Sequence, residues 1–409
     1  MAVVFAAALI GHVLLLGLLF LLFEVRLGTY EYRDIARNLV GGHGFVLRPG
    51  GPPILWRPPL YIYFLAAIYA LFGDGMLPVI LIQAVLGAIT ALVVYRIGAR
   101  LFGEGVGLAT AALVTIHPLL WYNAGRVMTE TLFTFLLALV VLLLVELTSG
   151  DARWAPPALG VLVGLGSLCR ATLQFFPLAL FAVACWPGAW NRPLAARARQ
   201  AATVAACCVL VILPWSIRNA VVSGGYVIPI DTSGGYTLWV GTEGATDGLD
   251  DDALSPAGLA TLQASLARVL GMEGSAKDGR LLERAWSVEG NQVLFRVAIR
   301  QIAADPLRSL WLGAKKVWRF WFALMRAENR GLQPWVLVLQ AAVLGPAILG
   351  AILALRHGRP VLPLFLVIGY LLGLHAAATA NVRYSVPVLP YVLMLAAYGV
   401  WQVSARRST

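Results

Sequence analysis

The chain has 409 residues, 60% of them hydrophobic and 12% charged, with a mean hydropathy of +0.80. Soluble domains are about half apolar and about a quarter charged, so composition excludes both a water-soluble globular protein and a disordered one. The 31 Lys and Arg outnumber the 20 Asp and Glu and leave +11, but the arginines are spread between apolar runs instead of forming one basic stripe, which argues against a nucleic-acid partner.

In chain order, windows of about 20 residues predict transmembrane helices near 2–23, 76–95, 105–122, 127–147 and 155–170. Five more are expected near 171–187, 201–219, 334–355, 361–378 and 385–403, giving an all-α polytopic protein of about ten spans. The first run lacks a basic flank and is too long for a signal-peptide core, so it reads as an uncleaved span. Cys169, Cys185, Cys207 and Cys208 lie in apolar runs without metal or disulfide spacing and read as small core residues.

Arg96, Arg100, Arg153, Arg192, Arg197, Arg199, Arg356 and Arg359 fall in one set of short connections, with Arg406 and Arg407 in the C-terminal tail. The opposite short connections hold only Arg126 and Arg383. By the positive-inside rule the first set, and both termini, face the cytoplasm of an inner or plasma membrane. Two longer segments, 24–75 and 220–333, then lie outside, which divides the chain into modules 1–219, 220–333 and 334–409. The apolar, aromatic stretch 306–326 contains Lys315, Lys316 and Arg319 and is expected to be an amphipathic helix lying at the interface.

Sorted by depth, the polar residues gather on the outer side. Arg170 lies about 15 residues along its helix, roughly 22 Å from the cytoplasmic end. Arg218 and Asn219 end another outward helix; His117, Arg126 and Glu130 surround one outer turn, and His375, Arg383 and Tyr384 another. Each arginine alone reads equally well as a snorkelling anchor. Four from four helices at one depth, with Glu130 among them, point to a shared anionic ligand, and a phosphate suits the planar guanidinium.

In the first outer segment, "YEYRDIARNLVGGHGF" (30–45) has a helical phase that its glycines end, with Glu31 and Asp34 on one face. Spacing alone also reads these two as a solvated face paired with Arg33 and Arg37. "RPPLYIYFLAAIYALFGDG" (57–75) predicts a short helix whose Tyr61, Tyr63, Phe64 and Tyr69 suit an interfacial position. In the second outer segment a small helical lid is expected. The acidic residues Asp247, Asp250, Asp251 and Asp252 lack EF-hand spacing and read as a solvated loop. The glycines at 224–225 and 234–235, among Tyr226, Tyr236 and Trp239, suggest tight turns beside a sugar-binding surface.

Seven ordered stretches resemble membrane glycosyltransferases of the C-type fold, most of all the bacterial relatives of protein O-mannosyltransferases and aminoarabinose transferases. They are "ARNLVGGHGF", "RPPLYIYFLAAIYALFG", the Gln83 helix leading to "ARLFG", "MTETLF" (128–133), "LCRATLQFFPL" around Arg170, "LPWSIRN" (213–219) and "VRYSVPVLP" (382–390). The resemblance implies transfer of a sugar from a polyprenyl monophosphate to a glycan, lipid or protein acceptor on the outer face. It also implies a catalytic acid residue in the first outer loop. Relatives place an Asp three or four residues before the tyrosine matching Tyr32; those positions here are Gly28 and Thr29, which leaves Glu31 or Asp34, with Glu31 nearer.

Such chemistry needs a base for the acceptor hydroxyl and fixed cations for the departing phosphate. Arg170, Arg218 and Arg383 with Tyr384 are the candidates for the phosphate, Arg57 and Arg126 stand behind them, and His117, Glu130, Asn219 and Tyr61 are expected to line the site. No cofactor is required; a divalent metal is compatible, without an evident ligand set. The competing readings are a lipid or sugar transporter, which would place polar residues at the midplane in two repeat halves, and a glycan polymerase or ligase with a diphosphate-linked donor.

Overall fold

The computed structural model describes residues 1–22, 31–150, 152–244, 246–249, 254–272, 280–324 and 331–407. The elements in order are α1 (Ala2–Leu22), α2 (Tyr32–Val40), α3 (Leu60–Phe72), α4 (Met76–Phe102), α5 (Glu104–Ile116), α6 (Pro118–Ala124), α7 (Glu130–Ser149), α8 (Ala155–Cys169) and α9 (Phe176–Cys185). There follow α10 (Leu194–Val222), α11 (Gly234–Thr242), α12 (Pro256–Leu270), α13 (Arg280–Ala285), α14 (Val288–Ala304), α15 (Pro306–Phe322), α16 (Gln333–Arg356), α17 (Leu362–Ala377) and α18 (Leu389–Arg407). No strand occurs among the described residues; a single bridge joins Val46 to Pro53. The expected all-α class holds.

All ten apolar segments are helical, but they are not equal. Among the described residues six stretches are long and apolar enough to cross a bilayer: α1, α4, α7, α10, α16 and Val382–Ala405, which contains α18. The expected span 105–122 is two helices, α5 and α6, bent by 54°, because Pro118 supplies no backbone donor and its ring disfavours helix at His117. The segments near 155–170, 171–187 and 361–378 give short helices of 10–17 residues. At 1.5 Å per residue such helices fall short of a hydrocarbon core of about 30 Å. Length alone therefore accounts for six or seven spans, where the sequence suggested about ten.

The transmembrane helices pack through small residues, as expected where lipid provides no hydrophobic drive between helices. On α8, Gly160 and Gly164 face α10: a Cβ at Gly160 would stand 2.6 Å from both Cys207 Cβ and Val204 O. At the crossing of α16 and α18, a Cβ at Gly350 would meet Leu395 O at 1.8 Å, whereas one at Gly345 on the same helix meets nothing. Gly350→Leu is expected to lower stability by on the order of 3 kcal/mol, and Gly345→Leu to leave it nearly unchanged. Thermal unfolding of the two variants in one detergent checks this.

The helix α15 carries Leu307, Leu310, Trp311 and Trp318 on its exposed side, while Leu312, Lys316 and Phe320 are buried. Two of its charged residues meet one carboxylate: Asp247 accepts from Lys315 at 2.8 Å and from Arg319 at 2.7 Å. Above it, α11 to α14 enclose a second, smaller core around Trp239, Leu262, Leu266 and Leu294. The segment 220–333 is thus mainly helical among its described residues, as expected. Asp247 thus pairs with two cations while its side chain is 48% exposed; Asp250, Asp251 and Asp252 lie outside the described residues.

Candidate active site

One cavity of about 410 Å³ opens where the ends of several elements meet, a size typical of small-molecule sites. Its wall is contributed by the approach to α2 (Glu31, Tyr32), the loop before α3 (Trp56, Arg57), the break after α8 (Arg170), the lead into α11 (Asp231, Ser233), Trp286, the end of α17 (His375) and the turn before α18 (Arg383, Tyr384). All of these lie in segments that the charge rule assigns to the outer side.

Local chain breaks aim the basic residues inward. At the C-terminus of α8 the backbone becomes extended at Arg170 (φ −143°, ψ 117°), so the side chain leaves the helix surface. Arg383 follows Asn381, whose side chain accepts from the Arg383 backbone N–H at 3.0 Å and starts the 3-10 turn Val382–Val388. Both guanidinium groups converge on Oε1 of Glu130, the first residue of α7: Arg170 at 3.2 Å and Arg383 closer still. Glu130 is fully buried and lies behind the cavity lining. The Arg170 guanidinium also faces the rings of Phe133 and Tyr384, and His375 stacks on Tyr384 at 4.3 Å. Two cations share one carboxylate, so this end of the cavity carries an excess positive charge with little freedom to collapse.

The other end is acidic. Glu31 adopts a left-handed conformation (φ 58°), which is uncommon for a residue with a side chain and stores strain of about 1–3 kcal/mol. Its Oε2 accepts from Trp56 Nε1 at 3.1 Å and from Arg57 Nε at 3.3 Å. Arg57 lies between the rings of Tyr32 and Trp286, 5.5 Å from each centroid, and Trp286 stacks on Trp56. Asp231 supplies the second carboxylate: Oδ1 accepts from the Ser233 backbone N–H at 2.9 Å and from its hydroxyl at 2.7 Å. Burial pushes the Asp231 carboxyl above its usual range, against the opposing influence of Ser233 and Arg57.

The structure thus brings together Glu31, Arg57, Arg170, Arg383 and Tyr384, with Glu130 behind them. It places the other candidates elsewhere. Asp34 stands apart from the cavity, with its side chain 60% exposed and 3.8 Å from Arg37. Arg218 donates to Ile54 O at 2.8 Å and stacks on Trp215, off the cavity. Arg126 is buried over Tyr122, and His117 is buried at the bend between α5 and α6. Tyr61 packs edge-on beneath Tyr32 and donates to Gln83, whose amide in turn holds the carbonyls of Ala124 and Arg126. Asn219 donates to Ile228 O and Ile230 O. Of these, Tyr61 touches the cavity lining, through Tyr32.

Asp231, Ser233, Trp56 and Trp286 escaped the sequence reading. The signal for Asp231 and Ser233 lies in "PIDTSGG" (229–235), an Asp-Thr-Ser turn following an apolar pair. Among the described residues no three His, Cys, Asp or Glu side chains gather in a set able to hold a metal ion.

Residues 56–217 match the family described as dolichyl-phosphate-mannose-protein mannosyltransferase. No curated protein matches the chain. Among solved structures, the oligosaccharyltransferase of Archaeoglobus fulgidus in the apo form is similar at 15% identity and a TM-score of 0.59, covering 99% of this chain and 50% of that one. The same organism's AglB, in complex with an inhibitory peptide and a dolichol-phosphate, gives 15% identity and 0.57 over 99% and 50%. ArnT of Cupriavidus metallidurans bound to undecaprenyl phosphate matches more weakly, at 17% identity and 0.44 over 99% and 78%. The likeness shows the fold: the chain has the fold of these oligosaccharyltransferase structures, the C-type fold that the motifs resemble. It spans about half the length of the oligosaccharyltransferases it matches.

Proposed function

We propose that the chain transfers one sugar from a polyprenyl monophosphate to an acceptor hydroxyl at the outer face of the cytoplasmic membrane, with inversion at the anomeric carbon. One observation carries this reading: Arg170 and Arg383 converge on a single carboxylate at one end of a cavity whose other end holds Glu31 and Asp231. A phosphate monoester placed against the two arginines becomes the leaving group, and cations already in position stabilise the charge that develops on it without reorganisation. It leaves as a stable anion, so no strong general acid is needed. A carboxylate at the far end takes the acceptor proton, and attack from the side opposite the leaving group inverts the centre. The likeness to an AglB structure that holds a dolichol-phosphate supports a polyprenyl phosphate ligand.

A second, mostly apolar cavity of about 600 Å³ adjoins the first, bounded by Gly241, Leu310, Gly313, Lys316 and Ala377. A Cβ at Gly241 would stand 1.9 Å from Ala378 O, so only glycine allows the wall between the two to close this tightly. This groove suits the isoprenoid tail. A Cβ at Gly313 would be 3.6 Å from Ala376 O, an ordinary contact, so Gly313→Phe fills the groove without breaking the helix. It is expected to raise KM for a long-chain donor about tenfold, and to spare a ten-carbon analogue.

The direct test uses purified protein in lipid nanodiscs with mannosyl-phosphoryl and mannosyl-diphosphoryl polyprenols and a membrane extract supplying acceptors. Release of polyprenyl phosphate from the monophosphate alone supports the reading. Turnover of the diphosphate alone moves the protein to the polymerases and ligases. Vesicle translocation of the lipid without bond cleavage makes it a transporter. The same assay with a chelator reads any need for a divalent metal.

A further inference from the structure

We propose that Asp231, not Glu31, takes the proton from the acceptor hydroxyl, and that the Asp231–Ser233 end of the cavity is the acceptor subsite. The inference rests on the transferase reading and names a residue for it. The two carboxylates differ in what already holds them. Both donors to Glu31, Trp56 Nε1 and Arg57 Nε, fall on Oε2, and Arg57 keeps that carboxylate paired with a cation. That contact commits the Glu31 carboxylate to holding the Arg57 guanidinium between Tyr32 and Trp286. In Asp231, Ser233 occupies only Oδ1, which leaves Oδ2 to the cavity. Burial raises the proton affinity of Asp231, which favours it as a base so long as it stays ionised at the working pH.

The chain invests heavily in holding this residue. Three side chains near the end of α10 fix the connection that delivers it. Trp215 Nε1 donates to Ile230 O at 2.9 Å, Ser216 to Pro229 O at 2.7 Å and Asn219 to Ile230 O at 2.9 Å, while Arg218 fixes Ile54 O alongside. On the far side the Thr232 backbone N–H donates to Leu55 O at 2.9 Å, and its hydroxyl to Trp286 O. The "LPWSIRN" motif therefore acts by positioning residues 228–232.

In the step, the acceptor O–H proton passes to Asp231 Oδ2 as the acceptor oxygen bonds to the anomeric carbon. The carbon–oxygen bond to phosphate breaks, and its electron pair leaves with the polyprenyl phosphate held by Arg170 and Arg383. Asp231 then releases the proton to water. Glu31 holds Arg57 between Tyr32 and Trp286, and so acts as a positioning residue.

The test compares wild type, Asp231→Asn, Glu31→Gln and Ser233→Ala in the nanodisc assay with mannosyl-phosphoryl-undecaprenol, across pH 4–9, with undecaprenyl phosphate binding measured in parallel. Asp231→Asn is expected to lose about a thousandfold in kcat while binding undecaprenyl phosphate normally. Wild-type turnover rises with pH as the carboxyl ionises. Because the Ser233 hydroxyl stabilises the ionised carboxylate, Ser233→Ala moves that rise to higher pH, a shift that a merely structural role would not produce. Glu31→Gln is expected to lose less and to keep the wild-type pH profile. Normal turnover by Asp231→Asn, or an unmoved profile in Ser233→Ala, overturns the assignment while leaving the transferase reading intact. Absence of wild-type turnover with the monophosphate donor overturns both.

Discussion

Arg383→Ala is expected to lower turnover of a polyprenyl monophosphate sugar by about 100- to 1000-fold, the loss seen when one preorganised donor to a developing anion is removed. The two guanidinium groups compete for one carboxylate, Glu130, so together they present one net positive charge to the cavity. Without Arg383 the remaining Arg170–Glu130 pair is neutral, and the leaving phosphate meets no excess charge. Arg383→Lys keeps the charge but not the planar fork, and is expected to fall between. Donor Kd and kcat, measured with acceptor saturating, check this. If acceptor KM rises while donor binding stays constant, Arg383 belongs to the acceptor end.

Glu130→Ala is expected to destabilise the protein by about 3–5 kcal/mol, the cost of leaving a buried charge uncompensated. Glu130 is wholly buried at the first turn of α7, and both arginines that it holds are largely buried, with side-chain exposures of 12% and 13%. Glu130→Gln keeps a hydrogen-bond acceptor and should lose less. Its two arginines then face each other without a carboxylate, so undecaprenyl phosphate should restore more of its thermal stability than it adds to wild type. Unfolding midpoints with and without the lipid read this difference. Equal stabilisation of both proteins removes the phosphate from this pair.

The fold was legible because apolar length and the distribution of arginine are local properties of a chain dissolved in lipid. The helices at all ten apolar segments follow from runs and phases that need no knowledge of neighbours. Helix ends were less legible. The bend at Pro118 splits one expected span, and a proline changes hydropathy little while changing length decisively.

For the site, the sequence by itself determined which side chains are costly near lipid, and so gathered Arg170, Arg218, Arg383, Arg126, Glu130 and His117 at one depth before any contact was known. It could not separate Arg170, Arg383 and Glu130 from the others. Tertiary structure decided that, because depth fixes one coordinate and a shared ligand requires three. Packing turned Arg218 onto Trp215 and brought Asp231, from a loop the sequence made unremarkable, within reach of Arg57. Convergence of groups some two hundred residues apart depends on how helices cross, and crossing is set by small-residue contacts such as Gly160 on α10 and Gly350 on α18.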